Sequence, residues 1–250
     1  MKAMIFCAGL GTRLKPITDT LPKALLPLGG KTLLQYQIEK LHNASITDIV
    51  VNVHHFPDQI INYLHKNRNF GCNIQISDER QLLLNTGGGL RKAATLLSGD
   101  EPILACNVDI LSNIDIKRLI DSHNSDTAIA TLVVSERKTQ RYLLFDKESR
   151  MTGWTNIATG EIRPNTLQEE TCKSSVRLAF SGMQVLSPDI FHLMSDFPEN
   201  TPFSLIDLYV NLCDKENLKA YIPYNYSMMD VGKIDQLTEA ELFAESLLER

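Results

Sequence analysis

The chain has 250 residues, of which 43% are apolar, and 25 Lys and Arg face 30 Asp and Glu for a formal net charge of −5. This apolar fraction excludes a disordered chain, and the length allows one large core or two smaller ones. The excess of acidic residues argues against a basic surface that binds nucleic acid, and no apolar stretch is long enough to span a membrane.

Five cysteines are scattered along the chain without a C-x-x-C pair or a Cys/His spacing. An odd and scattered set is typical of reduced, buried thiols. We therefore predict a cytoplasmic protein that has neither a disulfide framework nor a structural zinc site.

The first half of the chain alternates short apolar runs with helical patterns. We predict strands at 4–8, 49–53, 72–77, 102–106 and 127–134, and helices at 32–44, 57–66, 88–97 and 115–123. Thr32 is a candidate N-cap of the first helix, and Pro57 stands near the start of the second. Strands separated by helices of this length predict βαβ units, an α/β fold and a mostly parallel central sheet.

The second half of the chain is less regular. Residues 141–145 and 150–155 are predicted to pair as antiparallel strands, and the polar residues 156–175 are predicted to form a long loop or a β-excursion. Further strands are predicted at 176–185, 218–222 and 226–230, and helices at 190–194, 204–213 and 233–248. Because no repeat or linker divides the chain, we predict one domain, residues 1–250, with a small antiparallel add-on.

A glycine-rich loop, Ala8-Gly9-Leu10-Gly11-Thr12-Arg13-Leu14-Lys15-Pro16, follows the first predicted strand. Small residues let the backbone approach a ligand, and consecutive N–H groups can surround phosphate oxygens. Neither a Walker loop nor the dinucleotide fingerprint is present, since no Lys-Ser/Thr pair follows the last glycine and position 14 is leucine. Arg13 and Lys23 add cations within reach of a polyphosphate. If the loop is considered without these cations, an ordinary tight turn that binds no ligand is the alternative interpretation.

The loop and the residues after it resemble the signature of the sugar-1-phosphate nucleotidylyltransferases: Ala8-Gly9-x-Gly11-Thr12-Arg13-Leu14-x-Pro16-x-Thr18, then Pro22-Lys23. The resemblance covers nearly the whole chain and is to the N-acetylmuramate-1-phosphate uridylyltransferase and mannose-1-phosphate guanylyltransferase type. It implies a Rossmann-like three-layer fold of the glycosyltransferase-A kind, with a nucleotide-binding half at 1–135 and a sugar-phosphate-binding half at 136–250. It also implies catalytic roles for Arg13, at the leaving pyrophosphate, and for Lys23, at the phosphates around the reacting α-phosphorus.

Two aspartates, Asp109 and Asp230, follow predicted strands at their carboxyl ends. Ligands of open α/β sheets bind beyond those ends, and Mg²⁺ prefers a few carboxylates together with phosphate oxygens. The sequence thus predicts a Mg²⁺ site on the two aspartates, with a helix cap or a turn as the alternative for either one alone. In the resemblance, Asn107-Val108-Asp109 lies where the family carries a Gly-Asp pair, which gives Asp109 a catalytic role. Val108 departs from the small residue that is usual there.

The other binding residues rest on the resemblance. The segment 84–89 opens a helix, and its backbone donors suit a flat base. The strand segment 180–182 lies where the family contacts its sugar phosphate. The predicted nucleotide-binding residues are Ala8, Gly9, Gly11, Thr12, Arg13, Lys23, Asn85, Thr86, Gly87 and Asn107, and the predicted sugar-phosphate-binding residues are Ser181 and Gly182.

The implied reaction joins an NTP and a sugar 1-phosphate to give an NDP-sugar and pyrophosphate, with Mg²⁺ as cofactor. The sugar phosphate attacks without a general base, because a phosphate monoester with a second pKa of about 6 is largely dianionic at neutral pH. UTP with an N-acetylmuramate or hexosamine-type 1-phosphate is the predicted pair, and GTP with mannose or heptose 1-phosphate is the alternative. We expect no nucleic-acid or membrane partner and leave the oligomeric state open.

Two other classes of protein remain as rivals, an NDP-sugar-dependent glycosyltransferase and a non-catalytic sugar-nucleotide sensor. A glycosyltransferase would bind its donor through a D-x-D motif, which residues 107–109 match only in part. A sensor would not need the complete set of Arg13, Lys23, Asp109 and Asp230.

Overall fold

The computed structural model describes residues 1–198 and 200–248. Its strands, in chain order, are β1 (Lys2–Phe6), β2 (Pro27–Leu28), β3 (Lys31–Thr32), β4 (Asp48–Val53), β5 (Asn73–Asp78), β6 (Ile103–Asn107), β7 (Ile110–Ser112), β8 (Ala130–Ser135), β9 (Arg141–Phe145), β10 (Met151–Asn156), β11 (Glu161–Arg163), β12 (Val176–Leu186), β13 (Leu218–Tyr221) and β14 (Met228–Asp230). Its α-helices are α1 (Leu33–Asn43), α2 (Pro57–Lys66), α3 (Asn85–Lys92), α4 (Ala94–Leu97), α5 (Ile116–Asn124), α6 (Glu169–Ser174), α7 (Ile190–Leu193), α8 (Leu205–Leu212) and α9 (Leu237–Leu248).

β1 lies at the centre of the parallel part of the main sheet. It pairs with β4 on one side and with β6 on the other, and β5 extends the sheet beyond β4. In this register Phe6 lies opposite both Asn52 and Asn107, so the three strands end at the same edge. The loops that follow them therefore converge at that edge, which is where ligands bind in open α/β sheets.

β1 is apolar on both faces because each face packs against a buried layer. Ala3 and Ile5 of β1 belong to one apolar cluster, whereas Met4 and Phe6 belong to the other. A strand that is buried on both faces appears in the sequence as a continuous apolar run, which is the pattern that predicts β1.

β12 joins the antiparallel strands to the parallel ones. It runs antiparallel to β6, with Met183 opposite Cys106, and it also pairs with β8 and β9. β10 and β11 continue the sheet beyond β9, and β13 pairs in parallel with β8. The predicted α/β fold with a mostly parallel central sheet is confirmed, and the antiparallel strands continue that same sheet.

Polar caps set the start of several helices. The Thr32 hydroxyl accepts a hydrogen bond from the Gln35 amide at the start of α1 (3.1 Å), as the sequence predicts. Ser204 and Asp207 form a capping box at the start of α8, and Pro57 is the first residue of α2. Such caps satisfy amide donors that a helix leaves unpaired at its start.

Four segments differ from the sequence prediction, the first being the hairpin of β2 and β3, which the sequence does not predict. Residues 156–175 contain β11 and α6, and the helix predicted at 88–97 begins earlier, at Asn85, and consists of α3 and α4. β7, which the sequence does not predict, pairs with β14 in a separate two-stranded sheet. Asp230 therefore ends a strand of this small sheet rather than one of the main sheet. All of these elements except α3 are six residues long or shorter, too few for a periodic pattern to be recognised.

All five cysteines are free and buried, as the sequence predicts. Within residues 1–198 and 200–248, we find no helix with the length and apolar character needed to cross a membrane.

Candidate functional site

A cleft of about 530 Å³ opens at the edge where β1, β4 and β6 end. Its volume lies within the usual range of small-molecule sites. It is lined by Phe6, Cys7, Ala8, Gly9, Leu10, Gly11, Thr12, Lys23, Asn52, Leu83, Asn85, Thr86, Asn107, Val108, Asp109 and Ser204. A larger cleft of about 660 Å³, between α1 and the start of α5, contains none of the predicted site residues.

The glycine loop is folded tightly against the segment that carries Lys23. Gly11 has a φ of 64°, a left-handed conformation that favours glycine. A Cβ at this position would lie 2.8 Å from Thr18 Cγ2 and 3.2 Å from Lys23 Cβ. The Thr18 hydroxyl also donates to the Gly11 carbonyl (2.9 Å). The loop is therefore held in a shape that turns its backbone toward the cleft.

Lys23 and Asp109 form an ion pair at the floor of the cleft. Lys23 is only 8% exposed, whereas the Asp109 side chain is 24% exposed. An ammonium group this deeply buried requires a charged partner, because an unpaired buried charge is costly. The pair places one positive and one negative group next to the phosphate-binding loop.

Asp230 reaches the same place through the pairing of β14 with β7. In this pairing Asp230 lies opposite Ile110, and the Val231 amide donates to the Asp109 carbonyl (2.9 Å). Two aspartates that are 121 positions apart in the sequence are thus neighbours through backbone hydrogen bonds. The prediction that the two residues come together is met, although by a route that the sequence pattern does not show.

The charges around Asp230 fit a cation. Burial raises the pKa of Asp230 and the carboxylate of Asp109 raises it further, while Lys23, Arg13 and Arg137 lower it. Asp230 Oδ1 is buried and has no hydrogen-bond partner within the described residues. A divalent cation bound by both carboxylates would compensate the repulsion between them and the lost hydration.

No three His, Cys, Asp or Glu side chains gather into a metal cluster in the part of the chain that the structure describes. Further ligands of a cation on Asp109 and Asp230 would therefore have to come from water and from a bound ligand. Mg²⁺ is commonly held in this way, by one or two carboxylates together with phosphate oxygens and water.

Arg13 lies beside Asp230 and not in the lining of the cleft. A Cβ at Gly232 would come 2.8 Å from Arg13 Nη2 and 2.8 Å from Asp230 Oδ1. A side chain at position 232 would therefore clash with both the guanidinium and the carboxylate. Arg13 is exposed, so its remaining donors are accessible to a ligand.

Most of the predicted nucleotide-binding residues line the cleft: Ala8, Gly9, Gly11, Thr12, Lys23, Asn85, Thr86 and Asn107. Gly87 does not line it. The amides of Gly87 and Gly88 both donate to the Phe203 carbonyl (2.9 and 3.2 Å), and the Thr86 hydroxyl accepts from the Leu205 amide (3.0 Å). The prediction that these backbone donors face a base is therefore wrong for Gly87 and Gly88, because they hold the segment before α8.

Ser181 and Gly182 lie on β12, outside the lining of the cleft but next to it. A Cβ at Gly182 would be 3.0 Å from Asn107 Nδ2 and 2.8 Å from Ile110 Cγ1. Gly182 is thus packed against the junction of β6 and β7, next to Asn107 of the cleft lining.

A buried polar network that sequence reasoning misses connects three sides of the cleft. The Asn52 side chain accepts from the Cys7 amide (2.7 Å) and donates to Glu79 Oε1 (2.7 Å), and Glu79 Oε2 accepts from the Leu84 amide (3.1 Å). Glu79 is fully buried, and burial raises its pKa. The one signal in the sequence is Asn52 itself, a polar residue within the apolar run of β4.

The comparison with known families agrees with this geometry. The nucleotidyl transferase family matches residues 2–246. The chain belongs to the family of sugar-1-phosphate nucleotidyltransferases. This membership places it with enzymes and apart from the two rival classes, and it confirms the resemblance that the glycine loop carries.

Two curated relatives illustrate the range of the family. The N-acetylmuramate alpha-1-phosphate uridylyltransferase of Caulobacter vibrioides is 32% identical over 98% of this chain and 96% of its own length. The mannose-1-phosphate guanyltransferase of Saccharomyces cerevisiae is 29% identical over 100% of this chain but only 66% of its own length. The relatives thus include both UTP-type and GTP-type enzymes.

Solved structures share the fold. A UDP-glucose pyrophosphorylase from Acinetobacter baumanii has a TM-score of 0.76 at 21% identity, covering 99% of this chain and 98% of its own. HddC from Yersinia pseudotuberculosis complexed with GMP-PN has a TM-score of 0.74 at 20% identity, covering 97% and 99%. At these identities the likeness concerns the architecture alone.

Proposed function

We propose that the protein transfers a nucleotidyl group from an NTP to a sugar 1-phosphate, in a Mg²⁺-dependent reaction that yields an NDP-sugar and pyrophosphate. The observation that carries this proposal is the buried Lys23–Asp109 ion pair in a cleft lined by the glycine loop, with Asp230 beside it. The chain has the phosphate-binding backbone, the cations and the paired carboxylates that this reaction requires.

In this mechanism the protein positions two anions and neutralises their charge. The backbone of the glycine loop holds the triphosphate, Lys23 supports the phosphates around the reacting centre, and Arg13 binds the leaving pyrophosphate. The residues that would hold Mg²⁺ are Asp109 and Asp230, and the ion supplies charge neutralisation at the reacting phosphates. The attacking oxygen belongs to a phosphate dianion, so no side chain has to remove a proton.

For the nucleotide we propose UTP, with an N-acetylmuramate or hexosamine-type 1-phosphate as acceptor. Support comes from the Caulobacter uridylyltransferase, which matches this chain over nearly the whole length of both proteins. Asn85 lines the cleft in a left-handed conformation (φ 58°) at the first position of α3. In this proposal its side-chain amide pairs with the edge of the base. A site whose polar groups pair with one base rejects another, because those groups are then left unpaired.

GTP with mannose or heptose 1-phosphate is the second candidate. The Saccharomyces guanyltransferase has nearly the same identity to this chain as the uridylyltransferase. Val108 also lines the cleft in place of a small residue, so the family pattern does not transfer unchanged to the nucleoside site.

For the acceptor we propose Ser181 and Gly182 as contacts of the sugar phosphate. We also propose that residues 1–250 act as one nucleotidyltransferase domain, with the nucleotide bound by 1–135 and the acceptor by 136–250. Support comes from the main sheet, in which strands of both parts are continuous.

The experiment that tests this function is a matrix of four NTPs against sugar 1-phosphates with Mg²⁺, in which released pyrophosphate is measured. The panel includes N-acetylmuramate, N-acetylglucosamine, mannose and heptose 1-phosphates. UTP with one of the first two acceptors is expected to dominate. A dominant GDP-sugar would overturn the choice of base, and no pyrophosphate above background in any combination would overturn the reaction.

A further inference from the structure

β12 is distorted where it passes the cleft. It pairs with β8 through Phe180 opposite Val134 and again through Gln184 opposite Leu132, and the register shifts between these two points. The segment 181–183 therefore leaves the ladder with β8. Bulges of this kind often lie next to active sites, where they redirect side chains and free backbone groups.

The bulge is packed against the edge of the cleft. Ser181 is fully buried, and its hydroxyl is a neighbour of the Tyr226 hydroxyl: burial raises the pKa of Tyr226, and hydrogen bonding to Ser181 lowers it. Gly182 follows with a φ of 70° and packs against Asn107, which lines the nucleotide cleft. The bulge is therefore held next to the cleft.

Arg137 extends over this bulge from the loop after β8. Its Nη2 donates to the Phe180 carbonyl (3.0 Å), the residue directly before Ser181. The side chain is exposed, and no carboxylate of the described residues lies within ion-pair distance of it. Its charge lowers the pKa of Asp230, which places the guanidinium within electrostatic reach of the two carboxylates.

The three cations at the site come from different parts of the chain. Lys23 is paired with Asp109, and Arg13 lies beside Asp230; both belong to the half that carries the glycine loop. Arg137 is the cation near the carboxylates that belongs to the half at 136–250, and its charge lowers the pKa of Asp230. The proposed reaction brings two anions together, a triphosphate and a sugar phosphate. The glycine loop, Arg13 and Lys23 bind the triphosphate in this proposal, so the sugar phosphate needs a cation of its own.

We infer that Arg137 binds the phosphate of the sugar 1-phosphate and aims it at the nucleotide. This inference rests on the proposed function. The guanidinium is held at one nitrogen by the Phe180 carbonyl, which leaves further N–H donors for phosphate oxygens. A planar fork of donors suits a phosphate better than a point charge does. Arg137 is thereby a residue that sets affinity for the acceptor and not for the nucleotide.

The test compares Arg137→Gln and Arg137→Lys with Arg141→Gln, using whichever of N-acetylmuramate, N-acetylglucosamine, mannose and heptose 1-phosphates the wild-type enzyme accepts. Arg141 is an exposed arginine at the start of β9 and serves as the matched control. For Arg137→Gln we expect the acceptor KM to rise about 10- to 100-fold and the NTP KM to change less than about twofold. Arg137→Lys should recover part of the acceptor affinity, and Arg141→Gln should match the wild type.

The outcomes separate this inference from the proposed function. Wild-type turnover together with an unchanged acceptor KM in Arg137→Gln would overturn the inference alone. An equal rise of both KM values in Arg137→Gln and in Arg141→Gln would do the same, since it would show a general electrostatic effect. No turnover by the wild type with any acceptor of that panel would overturn the proposed function and this inference with it.

Discussion

Asp109 and Asp230 are neighbours that differ in their partners. Asp109 neutralises a buried ammonium, whereas Asp230 has a buried oxygen without a hydrogen bond and a pKa that burial raises. A carboxylate whose pKa is raised on folding destabilises the folded state at neutral pH, where it is charged. Removal of the carboxylate that pairs with a buried lysine destabilises the folded state, because the ammonium is left unpaired.

We therefore expect Asp109→Asn and Asp230→Asn to have the same effect on activity and opposite effects on stability. Each variant should lose activity by about 10²-fold or more, because a ligand of the proposed Mg²⁺ is removed. In EDTA, Asp109→Asn should lower the melting temperature and Asp230→Asn should raise it. Thermal unfolding with and without Mg²⁺ measures this, and a stabilised Asp109→Asn or near-normal turnover in saturating Mg²⁺ would contradict the assignment.

Arg13 of the glycine loop and Lys23, which follows it, are expected to have similar effects on activity and different effects on stability. Arg13→Ala and Lys23→Ala should each lower kcat/KM by roughly 10- to 10³-fold, because both groups neutralise the triphosphate. Only Lys23→Ala should also destabilise the fold, by about 2 kcal/mol, since it leaves Asp109 unpaired while Arg13 is exposed.

Lys15 provides the control for these two variants. It lies in the same loop and forms an exposed ion pair with Asp19 (3.0 Å), a kind of pair that contributes little to stability. Lys15→Ala should be close to wild type in steady-state kinetics and in melting temperature. Losses of similar size at all three positions would show that the net charge of the loop matters and not the individual roles.

The network of Asn52 and Glu79 connects whole elements, because it joins the ends of β1 and β4 to the segment before α3. Both carboxylate oxygens of Glu79 accept hydrogen bonds. Glu79→Gln should turn an NH₂ group toward one of these donors, which costs about 1–3 kcal/mol and loosens the segment at Leu84. We expect the NTP KM to rise more than the acceptor KM.

Asp78→Asn is the comparison for Glu79→Gln, because Asp78 is the preceding acid and its partner Arg80 is exposed. Its effects on the melting temperature and on both KM values should be small. Should Glu79→Gln lower kcat alone, with the NTP KM unchanged, the network would not position the nucleotide.

The sequence predicts the elements that have a strong period and the motifs that are contiguous. β1, α1 and α2 follow from apolar runs and caps, and the glycine loop with Lys23 follows from a signature of fixed spacing. It does not predict β7, which has three residues and pairs with β14, a strand of equal length and more than a hundred positions away. That pairing places Asp230 beside Asp109, so the geometry of the carboxylates depends on a contact between distant segments. The sequence does not single out Arg137 for the same reason, because Arg137 contacts the bulge of β12 across a distance of more than forty positions in the chain.

For the molecule as a whole, the five buried thiols report on unfolding. Burial raises the pKa of Cys7, and it raises the pKa of Cys106 to about 12 and of Cys213 to about 11. Since the thiolate is the reactive form, native protein should react slowly with a thiol reagent such as DTNB. All five thiols should react at once in denaturant, and Mg²⁺ with UTP should slow the native reaction by stabilising the folded state. Rapid labelling of one or more thiols in the native protein would contradict this picture.

The long strand β12 also limits how the enzyme can move. It is hydrogen-bonded to β6 and β8 of the half at 1–135, of which β6 ends at the nucleotide cleft, and to β9 of its own half at 136–250. A strand that is shared in this way leaves no flexible linker about which two lobes could swing. Closure over the substrates must therefore be local, carried by the glycine loop and by long side chains such as Arg13 and Arg137. The distance between donor and acceptor is then set by the sheet before either substrate arrives, so the rate of encounter depends on access to a preformed groove and not on the time that a hinge needs to shut.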